Sequence, residues 1–173
     1  MSDRSLHAER ERYIDHIRRS VACVSRDVVI ALPLDSTGLW QARFANDPTR
    51  LPTAPNLTFR AIHDFQVQLP LQPGSPLVRP AGYHYELRDQ NDEEVFAYHL
   101  HTVGLSHITT PHLHVPGGTQ RVSLEKRHLV TGLISFPEII RCLITEFDVT
   151  PLRPDWRDIL RTGTDTIVTT IQD

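Results

Sequence analysis

The chain has 173 residues, 39% hydrophobic and 23% charged. That is enough to bury one ordinary core without disulfide or metal staples. Its formal net charge of −3 excludes a strongly basic, non-specific nucleic-acid binder but leaves room for a local cationic site. Cys23 and Cys142, the two cysteines, exclude a disulfide framework and read as small buried hydrophobes. No run of about 18 apolar residues and no signal-peptide pattern is present, so the expectation is a cytoplasmic protein with no membrane partner. Of 18 basic residues only Lys126 is lysine. Arginine suits bidentate phosphate contacts, although a coding bias toward arginine explains the same count.

The expected architecture is a single α+β domain over residues 1–173. Residues 4–26 predict an amphipathic helix: Arg10, Tyr13, Ile14, Ile17, Val21 and Val24 follow a 3.6-residue spacing, opposite Arg12, Asp15, Arg18, Arg19 and Arg26. A sheet core follows over 27–115. Asp27–Leu34 is apolar and β-branched, hence a strand. Asp35 to Gly38 is a turn, and Leu39–Phe44 is the partner strand. Residues 46–55 hold three prolines and read as a loop. Residues 56–70 alternate as one long or bent strand, and the parity of His63 puts it with Phe59, Ala61 and Phe65 in the core. Residues 70–82 form a Pro/Gly-rich connection.

Six of the ten histidines lie between Tyr83 and Val115. Here alternation separates two faces. Tyr83, Tyr85 and Leu87, then Phe96, Tyr98 and Leu100, form an apolar and aromatic set. His84, Glu86 and Arg88, then His99 and His101, form a polar one. A two-residue loop at Asn91-Asp92 pairs Gln90 with Glu93, Leu87 with Phe96, Tyr85 with Tyr98 and His84 with His99. A short third strand beside the second adds Leu113 and Val115 to the core face, and His112 and His114 to the other. Pro111 marks its start. The polar face would then gather His84, Glu86, His99, His101, His112 and His114.

Beyond Val115, Arg121, Lys126, Arg127 and His128 form a basic loop that could take phosphate. Ser135 and Glu138 flank an early proline as a capping box, opening a helix with Ile139, Ile140, Leu143, Ile144 and Phe147 on one side. Residues 154–161 give a second short helix, so the C-terminal helices span 135–162. The tail 163–173 is an edge strand or disordered. The sheet is expected to be antiparallel, with roughly five to six strands and the N- and C-terminal helices on one face.

Histidines titrating near neutrality can act as acid and base on RNA, taking the 2′-OH proton and protonating the 5′-oxygen. Arg88 or Arg121 would stabilise charge on the phosphate. His112 is the first choice for base or acid, with His114 or His99 as its complement, and His84, His101 and Glu86 around them. This metal-independent chemistry, with no cofactor, is preferred. The alternative is a divalent metal held by His112, His114 and His99, because histidines two apart on a strand can reach one ion. There is no Gly-rich phosphate loop, CxxC pair or nucleophile elbow, which sets many enzyme classes aside. A non-catalytic binding module remains a third reading.

Across residues 83–147, Tyr83-x-Tyr85, Asp89, Phe96-x-Tyr98, Pro111-His112-x-His114 and the Ser-led helix with Glu138 and Ile139-Ile140 resemble the TumE-type toxin family of prokaryotic toxin–antitoxin systems. The resemblance implies an endoribonuclease-like toxin with an RNA substrate and a protein antitoxin partner. It puts Tyr85, Tyr98, His112 and His114 in functional positions, whereas parity alone puts the two tyrosines in the core. His112-Leu113-His114-Val115 before Gly117-Gly118 is also similar to the end of the histidine-triad motif of nucleotide hydrolases and transferases. That likeness implies His112 as a nucleophile on an α-phosphate. Oligomeric state is left open.

Overall fold

A computed structural model describes residues 3–36, 38–54, 56–68, 77–101, 108–116 and 129–161. Helix α1 (Asp3–Val21) comes first. The strands follow as β1 (Val29–Pro33), β2 (Leu39–Phe44), β3 (Thr49–Arg50), β4 (Thr58–Gln68), β5 (Leu77–Arg88), β6 (Glu94–His101), β7 (His112–His114) and β8 (Leu129–Val130). Helix α2 (Phe136–Glu146) and a short helix α3 (156–161) close the described chain. The strands form one antiparallel sheet in the order β1-β2-β4-β5-β6-β7-β8, with β3 paired to β4. The α+β class is as expected. The two-residue strands β3 and β8 are added to the expected five to six.

One face of the sheet carries the core. On β4 Phe59, Ala61, His63 and Phe65 are all buried at every second residue, and on β5 so are Tyr83, Tyr85 and Leu87. The buried stripe of α1 is Tyr13, Ile14, Ile17 and Val21, and that of α2 is Phe136, Ile139, Ile140 and Leu143. Both helices lie on this face. Tyr13 of α1 reaches His63, and the Phe136 ring meets His63 and Tyr85 edge-on. Trp156 and Leu160 extend the same cluster.

Helix α2 starts where its capping box requires. The Glu138 amide donates to Ser135 Oγ at 3.4 Å, and the Ser135 amide donates to Glu138 Oε2 at 2.8 Å. Helix α1 ends at Val21, short of the expected 26. The amides of Ala22 and Ser25 close a last turn onto Arg18 and Val21, and the Ser25 hydroxyl instead meets Thr49 and caps the Asp27 amide. Gly38 turns β1 into β2 with φ +89°, a conformation that favours glycine.

Two connections differ from expectation. The stretch 70–82 is not all loop, because β5 begins at Leu77. Between Asp64 and Phe65 the pairing skips Ala81, a bulge that absorbs Pro80, which has no amide to give the ladder. The β5–β6 turn is longer than two residues. Asp89 Oδ1 accepts from the amides of Asn91 at 2.8 Å and Glu93 at 3.0 Å, and an irregularity at Leu87/Arg88 takes up the difference. The register beyond it is the expected one: Leu87↔Phe96, Tyr85↔Tyr98, His84↔His99 and Tyr83↔Leu100.

Candidate functional site

The opposite face of the sheet holds the histidines. His84, His99 and His112 form a cross-strand row over β5, β6 and β7. Glu86, Ala97 and His114 form the next row. His101 pairs with Gly82, where a Cβ would come within 3.2 Å of the Leu100 carbonyl oxygen. Alternation alone therefore brings His84, Glu86, His99, His101, His112 and His114 together, as expected.

His99 is the hub. Its ring centroid is 4.4 Å from His84, 4.6 Å from His114, 5.2 Å from His101 and 5.5 Å from His112. His112 and His114 are 5.1 Å apart. Burial, then the positive charge that His84, His114, His101 and His112 would carry, pushes the His99 pKa down to about 3. His101 is lowered by burial and by His112 and His84. His99 is thus neutral at pH 7, with one ring nitrogen carrying a lone pair and the other an N–H.

His112 is 1% exposed. Its Nδ1 lies 2.8 Å from the Thr110 carbonyl oxygen, which can only accept, so Nδ1 carries the proton and Nε2 the lone pair. One ring nitrogen each from His99, His112 and His114 lie within 4.8 Å of one another. His99 Nε2 is buried with no hydrogen-bond partner among the described residues. Among the described residues these three could hold a metal.

Beside the rings, Glu86 is 3% exposed and fully engaged. Its Oε1 accepts from Arg88 at 2.6 Å, and its Oε2 meets Arg60 Nη1 at 3.3 Å and His84 Nε2 at 3.2 Å. Burial alone would raise the Glu86 pKa, but the hydrogen bonds from Arg88 and His84 outweigh it and hold the carboxyl below its usual range. Arg88 also donates to the Asp92 carbonyl oxygen at 2.6 Å, and Arg60 donates to Asp47 at 3.1 Å. Arg60 was not among the expected site residues. Its parity on β4, opposite that of Phe59 and Ala61, was the available signal. Its partner Glu86 is 26 residues away in sequence.

Tyr85 and Tyr98 lie on the core face. Tyr85 is fully buried, and its hydroxyl is 2.7 Å from His63 Nδ1. Arg121, Lys126, Arg127 and His128 lie outside the described residues, as does the tail 163–173. Cys23 and Cys142 are unpaired, and Cys23 is buried. No helix among the described residues is long and apolar enough to cross a membrane. Comparison of the chain with protein-family models, with curated proteins and with solved structures finds no match.

Proposed function

We propose that the chain is an endoribonuclease-like toxin of a prokaryotic toxin–antitoxin or defence system, acting in the cytoplasm and held in check by a protein antitoxin. The observation that carries the reading is the gathering of five histidines and a carboxylate on one sheet face, flanked by Arg60 and Arg88. Breaking a phosphodiester needs a proton acceptor, a proton donor and positive charge near the phosphorus. His84 is hydrogen-bonded to Glu86 and its side chain is 33% exposed, which suits an oriented and reachable base. His112 and His114 border the same ring cluster and complete it. Arg60 and Arg88, 36% and 29% exposed at their side chains, supply charge at its rim.

The test is cleavage of single-stranded RNA by the purified protein, beside His112→Ala/His114→Ala. Cleavage by the wild type, lost in a variant that still folds, supports the reading. A folded wild type that cleaves no RNA and is not toxic on expression would sink it, leaving nucleotide chemistry or a binding role.

A further inference from the structure

We infer that His99, His112 and His114 form a three-imidazole centre for one divalent transition-metal ion of the zinc class. The inference goes beyond the reading above, because it holds whatever the substrate is.

Three observations support it independently. First, the register makes a triangle. His99 and His112 are directly opposed on β6 and β7, and His114 stands two residues further along the same face. One nitrogen from each already lies within 4.8 Å of the other two. A zinc ion binds imidazole nitrogen at about 2.0–2.1 Å, which puts ligand nitrogens about 3.3 Å apart in a tetrahedral shell. Rotation of the three side chains would have to close that gap on binding. Second, the tautomer of His112 is fixed. Its Nδ1–H is donated to the Thr110 carbonyl, which leaves Nε2 as the ligand atom. A ligating histidine that donates its other nitrogen to a backbone carbonyl is the recurring outer-shell arrangement of metal sites. Third, His99 Nε2 is buried without a hydrogen-bond partner among the described residues, a cost that a metal bond would remove.

The donor set also selects the ion. Three neutral nitrogens with no carboxylate or thiolate suit zinc, cobalt, nickel or copper. They do not suit magnesium or calcium, which want oxygen ligands. Glu86 does not compete, since both its oxygens are held by Arg88, Arg60 and His84. Three ligands from the described residues would leave a position for water or substrate, as in catalytic rather than structural zinc sites.

The experiment is calorimetric titration of untagged, EDTA-stripped protein with zinc chloride and with magnesium chloride, together with the visible spectrum of the cobalt(II) form. His112 is buried, so its removal puts the fold at risk. The variants are therefore His99→Gln and His114→Gln, each checked for an unchanged circular-dichroism spectrum. The expected result is one zinc per chain, no saturable magnesium binding, a cobalt d–d band, and affinity lowered more than about 100-fold in each variant. A folded wild type with neither zinc heat nor a cobalt band would overturn the assignment, as would unchanged affinity in both variants. Zinc bound without RNA cleavage would uphold this centre and sink the nuclease reading. RNA cleavage by protein that binds no zinc would do the reverse.

Discussion

His99 and His112 face each other across β6 and β7, with ring centroids 5.5 Å apart and the rings nearly perpendicular at 83°. A proton on His99 would sit directly against the His112 ring. Burial and four histidine neighbours hold His99 down to a pKa of about 3, so the unfolded chain binds a proton between that value and the ordinary 6.5 that the folded chain refuses. Above pH 6.5 the two states match. As the pH falls below it, stability is lost. His99 is partly exposed, so its share by about pH 5 is discounted to roughly 1 kcal/mol. Urea unfolding of metal-free protein at about pH 7.5 and about pH 5 measures it. His99→Gln should flatten the dependence, and an equal slope in the variant would contradict the cause given.

A fully buried histidine on the other face gives a larger effect of the same sign. His63 lies between two tyrosines, with Nε2 2.7 Å from the Tyr13 hydroxyl and Nδ1 2.7 Å from the Tyr85 hydroxyl. A neutral ring satisfies both, one nitrogen donating and the other accepting. Burial lowers its pKa to about 4. The folded state therefore loses about 2 kcal/mol relative to the unfolded state between pH 6.5 and about pH 5. His63→Leu would strand two buried hydroxyls and cost about 2–4 kcal/mol at neutral pH, while removing that acid sensitivity. A paired series of unfolding curves for wild type and variant checks both parts.

Glu86 binds two arginines and a histidine from one buried position. Glu86→Gln keeps its shape and removes the charge, which leaves Arg88 and Arg60 without their shared anion. Both arginines retain some solvent, so the expected cost is roughly 1–2 kcal/mol, below that of breaking a fully buried pair. Arg60→Ala should cost less than about 1 kcal/mol, because Arg88 and His84 still hold the carboxylate. Thermal melts rank the two, and an Arg60 effect equal to that of Glu86 would contradict the division.

The hairpin register was legible in the sequence because one slip would have sent Tyr83, Tyr85, Phe96 and Tyr98 to the wrong face. The same parity placed His63 in the core and set His112 and His114 beside His99. Ser135 and Glu138 announced α2 through local hydrogen bonds alone. What could not be read depends on partners far apart in sequence, or on punctuation that hides a strand. Arg60 finds Glu86 only once β4 lies beside β5. Pro80 and Gly82 looked like a connection, yet a bulge carries them inside β5. That His99 is the hub follows from its central strand and four ring contacts, which no count of histidines reveals.

Metal-independent proton chemistry and a metal centre call on the same side chains, and one assay separates them. RNA cleavage would be followed in EDTA-stripped protein, then after adding back zinc and, separately, magnesium. Loss of cleavage on stripping and recovery with zinc alone is the predicted result. Full cleavage in the stripped protein would contradict it and return His99, His112 and His114 to acid–base roles.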